Sequence, residues 1–140
     1  MKNLAIMFVD ICGSTRLYVD HGDESAMTLT SRCIQGMQSI VTNNGGEVVE
    51  TLGDGILCTF IDVDAAFKAA ESIIQNQIPW SVAVHGGIHW GPVISKGGSI
   101  FGDAVNVAAR VNNLAKDEEI IGFRLRLMMA PRTVKSSKWI

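Results

Sequence analysis

Two aspartates stand where acidic side chains could act together. Asp10 directly follows the apolar run Leu4–Val9, and Asp54 lies in the turn Gly53-Asp54-Gly55 between two strand-like segments. If these segments pair as neighbouring strands, both carboxylates emerge at the same edge of one sheet. Adjacent carboxylates repel unless a cation lies between them, and Mg²⁺ is usually held by one or two carboxylates plus substrate phosphates. The spacing therefore indicates a divalent-cation site, although a strand-ending Asp10 and a turn-forming Asp54 would give the same pattern.

The segment after Asp10 contains a turn suited to phosphate groups. It consists of Cys12, Gly13, Ser14 and Thr15. Backbone N–H groups in a glycine-containing turn that leads into a helix can bind phosphate oxygens. Ser14 or Thr15 could equally cap that helix, because hydroxyl side chains are preferred at caps. The turn is a candidate phosphate loop with this structural alternative.

A second polar pair lies near the other end of the chain. Asn106 and Arg110 are four residues apart in a segment with helical periodicity, so they project from one helix face. An arginine and an asparagine can stabilise a phosphoryl centre and a neighbouring ribose oxygen as charge develops there. A solvated helix face is the alternative. His89 precedes Gly91 and Pro92 and is expected to be a packed residue at a strand end.

The surrounding periodicity predicts an α+β domain. We expect a first strand at Leu4–Val9. The periodicity of apolar residues predicts the later helices and strands. They are a helix at about 23–43, strands Glu47–Leu52 and Ile56–Ile61, a helix at about 62–76, strand Ser81–Trp90 broken or bent near Gly86 and Gly87, a return strand Val93–Ser99, a helix from Asp103 to about Ala115, and strand Glu119–Phe123. The order βαββαβ is that of a ferredoxin-like sheet layered with helices.

Composition limits the classes of function. The 140 residues, 47% of them hydrophobic, predict one domain over 1–140 with a real core. A net charge of −2 gives no reason to expect a nucleic-acid partner. The cysteines, Cys12, Cys33 and Cys58, fit no zinc spacing and are expected to be small core residues. We find no signal peptide or membrane span in the sequence, which predicts a cytoplasmic domain.

Four segments together resemble the class III nucleotidyl cyclase catalytic domain, the adenylate and guanylate cyclase family. The resemblance extends from about Leu4 to about Ile121. The segments are Phe8-Val-Asp-Ile11 with Ser14-Thr15, Val49-Glu-Thr-Leu-Gly-Asp-Gly55, Gly87-Ile-His-Trp-Gly-Pro-Val93, and Phe101-Gly-Asp-Ala-Val-Asn-Val-Ala-Ala-Arg110. Each segment alone is a weak motif, and their common order makes the resemblance specific.

The resemblance implies a role for each matching position. Asp10 and Asp54, with the backbone carbonyl of Ile11, would bind two Mg²⁺ or Mn²⁺ ions. Asn106 and Arg110 would stabilise the transition state. The family works as a head-to-tail homodimer whose active sites lie at the interface, with metal ligands from one chain and these two residues from the other. The substrate would be a nucleoside triphosphate, cyclised to a 3′,5′-cyclic nucleotide with release of pyrophosphate.

The base-reading positions of the family match Glu50 and Ser99. Adenylate cyclases usually have lysine at the first position, and guanylate cyclases have glutamate. Guanine N1–H and N2–H are donors that suit a carboxylate, whereas adenine N1 is an acceptor. Glu50 therefore favours GTP, and Ser99 could serve either base. Adenylate or pyrimidine cyclase activity by the same mechanism is the alternative.

The C-terminal segment departs from the family pattern. The family's C-terminal strand pair, with a lysine that contacts the triphosphate, has no clear match after Ile121. The tail 124–140 has five of the twelve basic residues and no acidic ones, and Lys135 and Lys138 are candidates without a motif. The departure keeps open a different class of function, a catalytically weak nucleotide-binding regulatory module.

Overall fold

The computed structural model describes residues 1–76, 82–116, 119–124 and 132–135. This part of the chain contains four helices and seven strands. They are β1 (Lys2–Ile11), α1 (Ser14–His21), α2 (Asp23–Asn43), β2 (Glu47–Thr51), β3 (Gly55–Phe60), α3 (Val63–Asn76), β4 (Val84–Lys96), β5 (Ser99–Phe101), α4 (Asp103–Leu114), β6 (Glu119–Arg124) and β7 (Arg132–Lys135).

A twisted mixed sheet in the strand order β2-β3-β1-β4-β6-β7 forms the centre of the fold, and β5 pairs with β4 beside this path. The first four strands in that order are antiparallel neighbours, whereas β4 and β6 are parallel and are joined through α4. The order β2-β3-β1-β4, with α1 and α2 after β1 and α3 after β3, confirms the ferredoxin-like α+β prediction. β1 is central, so its last residues lie between β3 and β4.

The sheet has a different helix layer on each face because successive side chains of a strand point to opposite sides. Met7 and Val9 of β1 pack in the larger core, with buried residues of α2 and α3. Leu4 and Ile6 pack in a smaller core on the other face, with Ala104 and Ala108 of α4. Asp10 continues the Leu4–Ile6 alternation and therefore emerges on the α4 face.

Glycines in β4 allow close packing and do not break the strand. A Cβ at Gly86 would overlap the carbonyl of Phe8, and one at Gly87 would overlap the backbone of Asn112. The predicted break at these two glycines is wrong, because they allow close approach and β4 continues through them to Lys96. The chain turns back only at Gly97 and Gly98, both with positive φ, so the return strand is the short β5.

The structure contains two elements that the sequence pattern did not indicate. α1 has no buried residue, so its sequence lacks the apolar periodicity that reveals a helix. β7 pairs antiparallel with β6 and adds an outer strand in the tail. Lys135 is the last residue of β7. Ser81, the predicted start of a strand, and Lys138 lie outside the described residues.

Two of the cysteines behave as the predicted core residues. Cys33 and Cys58 are buried. Burial raises the pKa of the Cys33 thiol to about 11 and raises the pKa of the Cys58 thiol further. Cys12 is half-buried. Among the helices of the described ranges, none combines the length and apolarity needed to cross a membrane.

The packing of α4 on β4 predicts a large effect of one added methyl group. Gly87→Ala is expected to destabilise the fold by about 1–3 kcal/mol, because its Cβ overlaps the α4 backbone, which cannot move aside like a flexible side chain. The control is Gly36→Ala, an exposed position in α2 with open space around its Cβ. That change is expected to stabilise the protein by roughly 0.5–1 kcal/mol. Urea unfolding measures both, and equal stability of Gly87→Ala and wild type would contradict the packing described.

Candidate active site

Asp10 occupies the end of the central strand, between its two neighbours. In the strand register it faces Gly55 of β3 on one side and His85 of β4 on the other. A Cβ at Gly55 would overlap the Oδ1 atom of Asp10 and the Val9 carbonyl. Position 55 must therefore be glycine for this carboxylate to keep its place.

Asp54 is held beside Asp10 by hydrogen bonds from the segment that follows Asp10 in the sequence. The backbone N–H of Ile11 donates to the Asp54 carbonyl at 2.9 Å. The Ser14 hydroxyl donates to Asp54 Oδ2 at 2.8 Å. The two aspartates thus lie at the same edge of the sheet, as the strand pattern predicts, together with Ile11 and Ser14.

Two further residues contact Asp10 that the sequence analysis did not select. The Asn112 side-chain amide donates to Asp10 Oδ2 at 2.9 Å. His85 Nε2 is 3.9 Å from the same oxygen. His85 Nδ1 lies 3.1 Å from the Asn112 carbonyl, which can only accept, so this nitrogen is the protonated one. The sequence contains a signal for Asn112. It is the polar third member of the i, i+4 row Ala104, Ala108, Asn112, whose other members predict a buried helix face.

The charges and donor atoms of this edge fit a hard divalent cation. In the part of the chain that the structure describes, no lysine or arginine lies within 4.0 Å of Asp10 or Asp54, so their negative charges are not balanced by a basic side chain. Each carboxylate has its Oδ2 atom bound by one donor, and its Oδ1 atom has none among the described residues. No cluster of three or more His, Cys, Asp and Glu occurs in the same ranges. Two carboxylates and a carbonyl suit Mg²⁺ or Mn²⁺ completed by phosphate oxygens.

The turn at residues 12–15 leads directly into α1. Gly13, with a φ of 63°, is the N-cap, and no side chain caps the helix. The Cys12 N–H already donates to the Ala83 carbonyl at 2.8 Å. Because the hydroxyl of Ser14 binds Asp54, the capping alternative does not hold for it. Thr15 is exposed at the start of α1, where first-turn N–H groups have no partner within a helix.

Asn106 and Arg110 lie on α4 but face away from the carboxylates of their own chain. At about 100° per residue they are turned about 120° and 160° around the helix axis from Asn112, which contacts Asp10. Both are exposed. Arg110 Nη2 lies 3.8 Å from Asp103 Oδ1, and these side chains are 71% and 83% exposed. A single chain does not bring this pair to Asp10 and Asp54.

Glu50 and Ser99 are also separate from the two aspartates. A β-bulge between Val48 and Glu50 makes Glu50 the partner of Leu57, which places it on the α4 face of the sheet. Glu50 is exposed there and lies two strands away from β1. Ser99 of β5 lines a cavity with Lys2, which begins β1. Since Asp10 is eight residues further along that strand, Lys2 is about 26 Å from it, and Ser99 lies toward the opposite end of β1 from Asp10.

Comparison with known sequences matches most of the chain to cyclases. Residues 1–121 match the family described as "Adenylate and Guanylate cyclase catalytic domain". An adenylate cyclase from Streptomyces coelicolor is 29% identical over 124 residues, which are 86% of this chain and 32% of that protein. The chain spans at most 32% of the length of the first curated relatives that it matches.

Solved structures show the same architecture. The guanylyl cyclase domain of a fusion protein from the aquatic fungus Blastocladiella emersonii gives a TM-score of 0.79 at 23% identity, covering 86% of this chain and 80% of that chain. The guanylate cyclase domain from Catenaria anguillulae, solved in complex with GTP, gives a TM-score of 0.74 at 22% identity and covers 86% and 78%. At these identities the likeness establishes the fold.

Proposed function

Since the chain belongs to the adenylate and guanylate cyclase catalytic domain family, we propose that it converts a nucleoside triphosphate to a 3′,5′-cyclic nucleotide and pyrophosphate. The proposal rests mainly on the paired carboxylates of Asp10 and Asp54, which have oxygen atoms left for a cation and no ion pair with a lysine or arginine among the described residues. We propose that residues 1–140 act as one catalytic domain in this reaction.

The proposed reaction is an attack of the ribose 3′-oxygen on the α-phosphorus of the same nucleotide. Mg²⁺ or Mn²⁺, held by Asp10, Asp54 and the Ile11 carbonyl, would acidify the 3′-hydroxyl and neutralise the leaving pyrophosphate. The backbone at residues 12–15 would bind phosphate oxygens beside Asp54. The protein's main contribution is then to hold the 3′-oxygen in line with the phosphorus and to stabilise the charge that develops there.

We further propose that two chains combine head to tail to complete each site. Asn106 and Arg110 are exposed and turned away from their own Asp10, so they are available to a second copy. Arg110 would donate to the oxygens of the α-phosphate as negative charge builds up, and Asn106 would orient the ribose. A symmetric dimer of this kind contains two equivalent sites, each built from both chains.

Glu50 supports GTP as the preferred substrate in this proposal. Its carboxylate lies on the same face of the sheet as Asp10 and is exposed, so it can accept hydrogen bonds from a guanine edge of the nucleotide in the partner's site. The curated relatives are named adenylate cyclases, so ATP is the main competing substrate.

An endpoint assay tests the proposed activity. Purified protein at a concentration where dimers are detected is incubated with Mn²⁺ and, separately, GTP, ATP, CTP or UTP, and the products are separated by chromatography. Cyclic GMP as the main product is the expected result. Cyclic AMP or a cyclic pyrimidine nucleotide would keep the reaction and overturn the base assignment. No cyclic product from the dimer would overturn the enzyme proposal in favour of a nucleotide-binding regulatory module.

Glu50→Lys is expected to reverse the base preference. A lysine can donate to adenine N1 but repels the guanine donors, so the ratio of kcat/KM for GTP over ATP should fall by about 10- to 100-fold. Glu71→Lys is the matched control, with the same charge change at an exposed position of α3. Its ratio should equal that of the wild type. An unchanged ratio in Glu50→Lys would show that this residue does not read the base.

A further inference from the structure

Asn112 is a buried amide inside the contact between α4 and the sheet. It is 5% exposed and follows Ala104 and Ala108 on the buried row of the helix. Its backbone packs directly against Gly87 of β4. A position of this kind ordinarily holds an apolar residue, because a buried polar group costs free energy unless it is hydrogen-bonded.

The side-chain hydrogen bond of Asn112 and one contact of its main chain involve residues of the candidate site. Its Nδ2 donates to Asp10 Oδ2 at 2.9 Å, and its main-chain carbonyl lies 3.1 Å from His85 Nδ1. Its own Oδ1 is buried and has no hydrogen-bond partner among the described residues. The Nδ2 group of the amide therefore binds Asp10, whereas the buried Oδ1 atom lowers the stability of the fold. This asymmetry indicates that the residue serves the carboxylate and not the packing of the helix.

We infer that Asn112 is a positioning residue for Asp10. By holding Oδ2 from the α4 side, it directs Oδ1 of the same carboxylate toward Gly55, the residue that follows Asp54. A neutral donor achieves this without adding a third negative charge beside the two aspartates. The inference deepens the proposed function, on which it rests, because the group that Oδ1 would meet is the divalent cation.

The test separates positioning from stability with one substitution of similar size. Asn112→Leu keeps the number and branching of the side-chain heavy atoms, removes the amide and also removes the buried Oδ1 that lacks a partner among the described residues. It leaves Asp10 Oδ2 without this donor, but the Asp10 side chain is 29% exposed and can be hydrated, so the melting temperature is expected to stay close to that of the wild type. Its affinity for Mn²⁺ is expected to fall by about 10- to 100-fold, the usual effect of losing a residue that orients a metal ligand. Mn²⁺ binding is measured by the loss of the free-ion electron paramagnetic resonance signal, on the full chain without nucleotide, because a triphosphate would itself bind the ion.

The control is Asn113→Leu, the same change at the next, exposed position of α4. It should bind Mn²⁺ like the wild type. A second expected result is that Asn112→Leu has no added effect on Mn²⁺ binding in an Asp10→Ala chain, because residues that act through one carboxylate are not additive. A folded Asn112→Leu chain that binds Mn²⁺ within twofold of the wild type would overturn the inference.

The outcomes distinguish this inference from the proposed function. If the wild type binds Mn²⁺ through Asp10 but forms no cyclic nucleotide, the proposed activity fails, and the Asn112→Leu affinity alone decides the inference. If Asp10→Ala leaves Mn²⁺ binding unchanged, the cation site itself is wrong and the inference falls with it. If a stable Asn112→Leu chain loses Mn²⁺ affinity while Asn113→Leu does not, the inference is supported whichever base the enzyme prefers.

Discussion

Asp54→Ala is expected to lower the turnover of cyclic nucleotide by about a thousandfold or more. A metal ion that acts as a Lewis acid stabilises transition-state charge by several kcal/mol, and about 4 kcal/mol corresponds to a thousandfold in rate. Among the described residues the side chain of Asp54 makes one hydrogen bond, with the Ser14 hydroxyl, so its loss removes little of the fold. Turnover is measured with saturating nucleotide over a range of Mn²⁺ concentrations.

The matched control for this prediction is Asp64→Ala. Asp64 is an exposed carboxylate in the first turn of α3, on the opposite face of the sheet. Its removal should leave turnover unchanged. Turnover of Asp54→Ala above about a tenth of the wild-type value, with the same Mn²⁺ dependence, would contradict the assignment of this residue to the cation site.

Arg110→Ala is expected to lower kcat by about 100- to 1000-fold, the range found when one preorganised donor to a developing negative charge is removed. The KM for the nucleotide should change much less, because the contact strengthens only in the transition state. The arginine is 71% exposed and its 3.8 Å ion pair with Asp103 contributes little to stability. The melting temperature of the variant is therefore expected to match that of the wild type.

Arg16→Ala provides the comparison for Arg110→Ala. Arg16 is also an exposed arginine in a helical ion pair, with Asp20 at 3.5 Å, and it lies outside the proposed transition-state group. Steady-state kinetics of the two variants, side by side, separate a loss of one surface charge from a loss of the proposed donor. A kcat for Arg110→Ala equal to that for Arg16→Ala would remove Arg110 from the mechanism.

The elements that the sequence predicts best are those with one clear apolar pattern. The run Leu4–Val9 predicted the central strand, and the turn Gly53-Asp54-Gly55 predicted the hairpin that brings Asp54 to the end of that strand. These two local patterns were sufficient to place the carboxylates together. The helices at α2 and α3 followed from their buried faces in the same way.

The features that the sequence did not predict depend on contacts between distant residues. The hydrogen bond between Asn112 and Asp10 joins residues 102 positions apart, so no local window contains it. Gly86 and Gly87 resemble strand breakers, and only the packing of Phe8 and α4 against them explains their presence. α1 was missed because a helix that buries no side chain has no apolar period. Such features require the tertiary structure.

The distribution of the candidate residues has one clear consequence for assembly. Asp10 and Asp54 are brought together within one chain, whereas Asn106 and Arg110 face outward from α4. Glu50 and Ser99 also lie apart from the carboxylates. If all of them act on one nucleotide, the site must be shared between two chains. This distribution supports the proposed head-to-tail dimer, an arrangement that the family resemblance implies.

Mixing two inactive variants tests this central proposal most directly. Asp54→Ala and Arg110→Ala chains are each assayed alone and after equilibration at a one-to-one ratio. In a shared-site dimer the mixed pair contains one intact site, so the mixture should recover about a quarter of the wild-type activity if chains assort at random. A mixture that stays as inactive as its components, although exchange of chains is demonstrated, would contradict a site built from Asp54 of one chain and Arg110 of the other.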